Sequence, residues 1–485
     1  MQFNTYSYLL YLTVAVVLFW MLPVRYRRPY VLVASMLFYA SWSLTYLGLP
    51  LVVCAVSFFA AGRMRREPAN SRFWLWCGIG FVLAVLAFFK YRGFILENTV
   101  AMIGASRLLP VALLTMFVLP LGISFYSFEA VSYLLDTRQG RVKSTSFMDL
   151  CLFVMFWPHL IAGPIVRVRE LMPQLKFDRP FDDSLMLAGL DRVIWGLVQK
   201  NLFANYVGSW VDQGFTPRAA ALNTTVDNWF LAVAFGLQIY FDFAAYSNLA
   251  IGTAQLIGVN LPENFRYPYH AKNPSDFWGR WHMTLSRWIR DYVFFPLNAR
   301  YRGAPVPLYL SLLGSMALVG LWHGAGWGFI LWGVLHGLYL VVYHAYESLQ
   351  DKFPRLLDSK PSRWTVQLLT LAAVTVAWVP FRASTLHQSW TMLSSMFFHI
   401  KILSSGHFPL SYAASFYLST LLIIAFCAIE PYLGGLAARF DNLVQKSQSA
   451  LACNMLLVRP AIYAFGLLIF MIFDGQDTKF IYFQF

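Results

Sequence analysis

The sequence predicts an all-α integral membrane protein. Of its 485 residues, 58% are hydrophobic and only 12% are charged, against roughly 25% charged residues in a typical soluble domain. The apolar residues form long continuous runs, and the mean hydropathy of the whole chain is +0.55. Such runs are unlike the short alternating strands of an outer-membrane barrel, whereas helices satisfy their own backbone hydrogen bonds in lipid. We therefore expect a polytopic bundle of about a dozen transmembrane helices.

Basic residues outnumber acidic ones by 37 to 23, which gives a formal net charge of +14. In a polytopic membrane protein, such an excess is typical of cytoplasmic loops and of contacts with anionic lipid. The basic residues stand between apolar runs, so a nucleic-acid partner is not expected. Five scattered cysteines form no CxxC pair, which indicates neither a disulfide framework nor a thiolate metal site.

Many apolar runs are long enough to cross a bilayer core of roughly 30 Å, which needs about 20 residues. The first run has no basic residues before it and no small-residue cleavage site after it, so we expect a retained span. No flexible linker, low-complexity tract or internal repeat divides the chain, and a single domain over 1–485 is predicted. Candidate spans lie near residues 7–23, 30–47, 48–62, 73–90, 110–135, 148–166, 186–208, 228–255, 306–322, 325–347, 364–380, 409–430 and 456–474.

The segment 261–302 interrupts this pattern of long apolar helices. It carries seven basic residues, too many for a span, and it is too aromatic for an ordinary soluble loop. On a helix, the pairs Asp276–Arg280 and Arg287–Asp291 are spaced for ion pairs between successive turns. We therefore expect an amphipathic or re-entrant helix at the membrane boundary. A separate face of that helix would carry Phe277, Trp281, Leu285 and Ile289.

Two of the nine histidines have unusual surroundings. His323 ends an apolar run in GLWHGAGWG, where the glycines weaken a regular helix and permit close approach to the ring. His282 lies in GRWHMTLSRW, within the amphipathic segment. An ionisable side chain at membrane depth is costly, which favours a functional role; the alternative is a hydrogen bond to a neighbouring helix. For His336, packing is the favoured interpretation.

Motifs for several other chemistries are absent from the sequence. It contains no HExxH or related pair of zinc ligands, so no metal site is predicted. The GxSxG, P-loop and GxGxxG patterns are missing as well, which leaves hydrolase and nucleotide-binding interpretations without a motif. The two histidines are therefore the leading candidates for chemistry.

Two blocks around these histidines, RWHMTLSRWIRDYVFFPL at 280–297 and LWHGAGW at 321–327, carry a family resemblance. They resemble the membrane-bound O-acyltransferase family. The similarity runs from about residue 119 to the C-terminus and narrows to the alginate O-acetyltransferase-like branch. Further blocks similar to this branch are LPLGISFYSFEAVSYLLD at 119–136, FWPHLIAGPIVR at 156–167, QIYFDFAAYSNLAIG at 238–252, AWVPFRASTL at 377–386 and the terminal FIYFQF.

The resemblance implies a helical membrane enzyme that transfers acyl groups to hydroxyls, with its helices around a central funnel. In that family the histidine of the LWHG block is essential, which here is His323, and a second one in RWH is His282. A histidine suits the role of general base because its unperturbed pKa of about 6.5 lies near working pH. The chain departs from the branch at Asn248, where an aspartate is common, and so lacks that carboxylate as an orienting group.

The resemblance also implies a cytoplasmic thioester donor such as acetyl-CoA, with no tightly bound cofactor. Arg280 and Arg287 are suited to the phosphates of such a donor, and anchoring to anionic lipid is an equally good explanation for either arginine. The tryptophans and polar residues expected at the donor or substrate site are Trp281, Trp322, Asp242 and Asn248.

By the same resemblance, the protein acts in the bacterial cytoplasmic (inner) membrane. It passes the acetyl group to an extracytoplasmic partner, an SGNH-type acetyltransferase, which modifies a polysaccharide. Alginate or cellulose is the expected acceptor, and peptidoglycan is an alternative. A polytopic transporter of a polysaccharide or lipid-linked intermediate would share the composition, but it gains little from the two histidine blocks. A structural subunit of an export complex has no evident need for two buried histidines.

Overall fold

The computed structural model describes residues 3–103, 117–143, 145–299, 305–354, 359–399, 410–444, 454–473 and 480. Within these ranges the regular structure is helical and no β-strand occurs. The all-α class predicted from the apolar runs is confirmed. Parts of the predicted spans 110–135, 409–430 and 456–474 lie outside the described residues, as do the end of the 261–302 segment and nearly all of the terminal FIYFQF block.

The described residues form two compact units, of which the first comprises Met1–Val193 and Tyr246–Glu263. It includes the last part of the long helix Thr225–Leu256, where a Cβ added to Gly252 would lie 2.6 Å from the carbonyl oxygen of Gly189. Glycines thus permit a close backbone contact in this unit. Its other helices are α1 (Tyr6–Met21), α2 (Val24–Ala40), α3 (Gly48–Arg66), α4 (Ser71–Leu86), α5 (Arg92–Ile103), α6 (Ile123–Arg138), α7 (Phe147–Met155), α8 (Trp157–Leu160), α9 (Val168–Leu171) and most of α10 (Asp183–Val198).

The second unit comprises Ile194–Ala245 and Asn264–Phe485. Wider π-helical turns continue α10 through Gln199–Asn205 and also occur at Arg290–Phe294. Its helices are α11 (Tyr206–Gly214), α12 (Pro217–Leu222), the first part of α13 (Thr225–Leu256), α14 (Pro274–Trp278), α15 (Met283–Ile289), α16 (Phe295–Ala299), α17 (Pro305–His323), α18 (Trp327–Lys352), α19 (Lys360–Arg382), α20 (Leu386–Phe397), α21 (Leu410–Val444) and α22 (Arg459–Phe473).

Eight helical segments in the described ranges are long and apolar enough to cross a membrane, and the apolar α1 is shorter. In seven of them only 17–39% of the apolar window is buried within the protein, and the exposed remainder suits contact with lipid. In α13 the buried share is 89%, so this helix is surrounded by protein. The eight segments are Thr45–Arg66, Pro68–Met102, Thr225–Leu256, Val306–His323, Trp327–Lys352, Lys360–Arg382, Ala414–Leu436 and Asn454–Phe473.

The predicted span 148–166 is wrong, because the helix stops halfway along the run. α7 ends at Met155, and Phe156 has a ψ of 106°, outside the helical region. Pro158 has no N–H to continue the hydrogen bonds of α7. Residues 161–167 have no regular structure and are buried. Irregular backbone of this kind is tolerated at membrane depth only where protein or water surrounds it.

The structure also differs from the predicted span 110–135 in the first half of that run. Helix α6 begins only at Ile123, after Gly122 in the left-handed region with φ 73°. A Cβ at Gly122 would collide with the carbonyl oxygen of Leu160, so glycine meets both a conformational and a spatial requirement. Residues 104–116 of this run lie outside the described ranges.

Helices α17 and α18 approach each other through facing glycines. A Cβ on Gly333 of α18 would collide with the carbonyl oxygen of Met316 on α17, and one on Gly320 would collide with that of Phe329. Small residues are what allow two membrane helices to pack backbone to backbone. The contact places the C-terminal turn of α17 against α18.

We expect Gly333→Ala to destabilise the protein by about 1–3 kcal/mol, because the added methyl group forces two packed backbones apart. Gly314→Ala on α17 is the matched control, since nothing lies within 4 Å of its Cβ position. Alanine in a helix is favoured over glycine by roughly 0.5–1 kcal/mol, so the control should be neutral or stabilising. Melting temperatures of the two variants in detergent would decide, and equal values would contradict the proposed contact.

Candidate active site

His323 is the last residue of α17, and its side chain is only 3% exposed. Beyond it the chain turns through glycine, and a Cβ on Gly324 would collide with the ring of Phe329. The His323 ring lies 5.1 Å from that of Trp332 on α18 and 5.4 Å from that of Phe381 on α19, measured between centroids. Three consecutive helices thus enclose this imidazole in aromatic side chains.

The predicted amphipathic helix is broken at His282. α14 ends at Trp278 and α15 begins at Met283, with His282 between them in the left-handed region at φ 40°. A residue with a Cβ is strained there by about 1–3 kcal/mol, so surrounding contacts must hold it. One such contact is the hydrogen bond from Met283 N to Asn264 O, at 2.8 Å. The predicted apolar face is buried as expected, at Phe277, Trp281, Leu285 and Ile289.

Arg280, Arg287 and Arg290 bind partners within the segment 261–302 itself. The predicted pair Asp276–Arg280 is present, with 2.8 Å between Arg280 Nε and Asp276 Oδ1. Arg287 Nε donates to the carbonyl oxygen of Met283 at 3.3 Å. Asp291, the predicted partner of Arg287, lies 3.1 Å from Arg290 Nε. Arg280 and Arg287 therefore help to hold the turn that carries His282.

A polar network fixes the ring of His282. Its Nδ1 lies 3.0 Å from Asn264 Oδ1, which also accepts from Thr284 Oγ1 at 2.8 Å. An amide oxygen only accepts hydrogen bonds, so Nδ1 carries the proton and Nε2 holds the lone pair. Burial lowers the pKa of His282 to about 3, which keeps the ring neutral at physiological pH. Nε2 is buried, and none of the described residues donates a hydrogen bond to it.

The two histidine rings come together in the second unit, with centroids 6.4 Å apart and planes tilted by 58°. Trp322 precedes His323 and has its ring centroid 6.0 Å from that of His282. Phe243 of α13 contacts His282 edge-on at 4.6 Å, and Phe265 stacks on it at 6.3 Å. The two imidazoles therefore share a buried aromatic surrounding.

Trp281 is 1% exposed, and its ring lies 5.2 Å from that of Phe265, which packs on His282. Its ring stacks on Phe277 at 5.5 Å and lies 5.1 Å from Trp378. His336 packs in the same cluster, with its ring 5.2 Å from that of Trp278. These contacts agree with the packing interpretation of His336.

Asp242 and Asn248, expected together at the site, contact different partners. Asp242 Oδ1 lies 2.6 Å from Lys200 Nζ, and both side chains are at most 3% exposed. A buried ion pair of this kind is costly to form and strongly destabilising to break. Asn248 belongs to the first unit, where its Oδ1 accepts from Arg192 Nη1 at 2.7 Å. Arg192 also binds the carboxylate of Glu263, so its positive charge is balanced although residue 248 is not an aspartate.

Sequence reasoning missed several residues that contact the predicted site residues. Asn264 gave no signal of its own, because its role depends on a turn that brings it to a residue 18 positions later. Lys200 stood inside an apolar run, and its charge was the available signal. Trp378 and Phe381 lie in the AWVPFRASTL block, whose family resemblance alone assigns no role to either residue.

Comparisons with known proteins agree with the resemblance found in the sequence. The profile of the membrane-bound O-acyltransferase family matches residues 99–386. A probable alginate O-acetylase of Azotobacter vinelandii is 34% identical, over 98% of this chain and 98% of its own length. Another, of Pseudomonas aeruginosa, is 36% identical over 80% of this chain and 73% of its own.

A relative whose name gives a different substrate aligns over a similar share of this chain. A peptidoglycan O-acetyltransferase of Helicobacter pylori is 34% identical, over 76% of this chain and 74% of its own length. The profile match spans more than half of the chain, and these relatives all exceed 30% identity over most of it. The chain therefore belongs to the membrane-bound O-acyltransferase family and is a multi-pass membrane O-acyltransferase.

Proposed function

We propose that the protein moves an acetyl group from a cytoplasmic thioester donor, such as acetyl-CoA, across the membrane for O-acetylation of an extracytoplasmic polysaccharide. The observation that carries this proposal is the meeting of His282 and His323 in a buried aromatic surrounding. Relatives named as alginate and peptidoglycan O-acetylating enzymes support acetyl as the group and a polysaccharide as the acceptor. Alginate or cellulose is the acceptor we expect.

In the proposed reaction, His323 takes the proton of the acceptor hydroxyl as its oxygen attacks the thioester carbonyl carbon. The new C–O bond forms and the C–S bond breaks. The leaving thiolate then takes the proton back from the imidazolium, which returns His323 to its neutral form. The surrounding aromatic side chains exclude water, and this protects the thioester from hydrolysis.

His282 has an orienting role in this proposal. Its Nδ1–H is committed to Asn264, and its low pKa keeps Nε2 unprotonated. Nε2 can therefore accept a hydrogen bond from the acceptor hydroxyl or from an N–H of the donor. Stabilising an oxyanion requires a donor, which neutral His282 does not offer at Nε2. The contacts of His282 therefore support an orienting role over stabilisation of an oxyanion.

The donor side of the proposal draws on the neighbouring side chains. Trp322 has the best support as a contact of the thioester, since its ring lies beside both histidines. Arg280 and Arg287, which lie two residues before and five residues after His282, are the proposed contacts of donor phosphates. We place the reaction in the bacterial cytoplasmic membrane, with an SGNH-type acetyltransferase as the extracytoplasmic partner.

We expect His323→Ala to lower acetyl transfer by roughly 10²–10⁴-fold, the usual contribution of a positioned base. The measurement is transfer of label from radiolabelled acetyl-CoA, with the polysaccharide or partner protein present, by protein in membranes. His336→Gln is the matched control, because it changes another buried histidine of the same aromatic cluster that the mechanism does not use.

The control should keep most of the transfer activity at equal amounts of folded protein. Equal losses in both variants would assign the effect to packing, and full activity of His323→Ala would move the chemistry elsewhere. Polysaccharide export that continues while acetylation stops would separate the enzyme from a transporter.

Asn264→Asp should move the acidic limb of the rate–pH profile to higher pH. In the wild type the pKa of His282 is about 3, so its protonation has no effect on the rate above about pH 5. A carboxylate at position 264 stabilises the imidazolium and raises that pKa. As the pH falls through the raised value, Nε2 becomes protonated and the rate drops.

Thr284→Val is the uncharged comparison for Asn264→Asp. It removes the other side-chain donor to the same oxygen and leaves the charge near His282 unchanged. Its rate–pH profile should keep the wild-type shape. An Asn264→Asp profile that overlays the wild type would exclude the orienting role of Asn264.

A further inference from the structure

A proline in α21 deprives one backbone carbonyl of its usual hydrogen-bond donor. In an α-helix, the N–H of residue 431 would bond to the carbonyl oxygen of Cys427, but residue 431 is proline and has no N–H. Cys427 is 6% exposed and lies in the apolar segment Ala414–Leu436, which is long enough to span a membrane. An unsatisfied carbonyl is costly there, so another group has to supply the hydrogen bond.

His270 supplies this hydrogen bond from a different part of the second unit. Its Nε2 lies 2.8 Å from the carbonyl oxygen of Cys427, across 157 residues of sequence. A carbonyl oxygen only accepts, so Nε2 carries a proton and donates it. His270 ends the short 3₁₀ turn Pro268–His270, which precedes α14. The bond therefore joins the segment that carries His282 to a spanning helix.

Neighbouring contacts hold the same 3₁₀ turn. The hydroxyl of Tyr269 donates to the carbonyl oxygen of Gly236 on α13. One turn further along α13, the hydroxyl of Tyr240 donates to Oε2 of Glu430 at 3.2 Å. Glu430 is the only charged residue in the sequence of the spanning part of α21. The ring of Tyr240 in turn lies 5.5 Å from that of Tyr269. Both α13 and α21 thus contribute to the position of the turn.

The turn is linked to His282 through a loop that is closed by backbone hydrogen bonds. The two ends of the loop, residues 264–283, meet at the backbone bond of Asn264 described above. A second bond, from Arg266 N to Arg280 O at 2.9 Å, joins the residues that follow and precede these ends. His282 is close to both bonds in the sequence. Holding the 3₁₀ turn therefore restrains the imidazole of His282 as well.

We propose that His270 is a positioning residue for acyl transfer. Its bond to the carbonyl oxygen of Cys427 holds the loop 264–283 against α21, and the loop sets the place of His282 relative to His323. This inference rests on the proposed role of His282 in orienting a reactant. A misplacement of about 1 Å in such a group can lower the rate roughly 100-fold.

The first test compares His270→Leu with His270→Gln in the full-length protein in membranes. Leucine removes the donor, whereas glutamine keeps an N–H on its side-chain amide. We expect His270→Leu to lower acetyl transfer from radiolabelled acetyl-CoA about tenfold or more, and His270→Gln to keep most of it. His387→Leu is the matched control, since this histidine is exposed in the first turn of α20. A normal rate in His270→Leu would overturn the inference.

A second test uses Pro431→Ala, which returns an N–H to α21. The helix itself then satisfies the carbonyl of Cys427. We expect His270→Leu to cost severalfold less acetyl transfer in the Pro431→Ala background than in the wild type. Equal losses in both backgrounds would show that His270 does not act through this carbonyl, and the inference would be wrong.

Hydrogen–deuterium exchange of residues 264–283 in detergent separates this inference from the proposed function, because it needs no acyl donor. We expect faster exchange in His270→Leu than in the wild type, and unchanged exchange in His387→Leu. Unchanged exchange in His270→Leu would overturn the inference whatever the activity. Absence of acetyl transfer by the wild type would instead count against the proposed function, and the exchange rates alone would then decide whether His270 holds the loop.

Discussion

The hydrogen bond between His282 and Asn264 is the interaction on which the candidate site depends. It acts where the backbone leaves the helical region. The backbone carbonyl oxygen of Asn264 restrains the strained turn, and its side-chain oxygen Oδ1 orients the ring of His282. Because that oxygen can only accept, it also decides which imidazole nitrogen faces the reactants. Burial then keeps the ring neutral. One asparagine thus holds the turn and selects the tautomer, while burial sets the charge state.

The second histidine reaches the same place by a different physical route. His323 is positioned by helix packing, because facing glycines bring α17 and α18 into backbone contact one turn before it. Aromatic side chains from α13, α18 and α19 then surround the two rings. A glycine contact is rigid because it has no side chain that can adjust. The site therefore combines one imidazole held by hydrogen bonds with another held by close packing.

The sequence was sufficient for the fold class because lipid permits few solutions: long apolar runs without alternation must be helices. The same reasoning failed at 148–166, since a buried irregular segment is as apolar as a span and hydropathy does not distinguish them. His282 and His323 were found from the cost of burying an ionisable group and from the resemblance of their blocks. Their proximity depends on a left-handed turn that helical periodicity does not contain. Conversely, two residues on one helix need not belong to one site. Asn248 shares α13 with Asp242 but contacts Arg192 in the first unit.

The broken run after α7 has a consequence for how the chain enters the membrane. Its Trp157 N–H is satisfied by Ser35 Oγ on α2, at 3.2 Å, across 122 residues of sequence. Until that partner is in place, the irregular stretch would expose unpaired backbone groups to lipid, which is costly. The stretch therefore has to stay at the membrane surface or in the insertion machinery until the preceding helices have assembled. We therefore expect the N-terminal helices to assemble first and to provide the packing surface for a segment that is synthesised later.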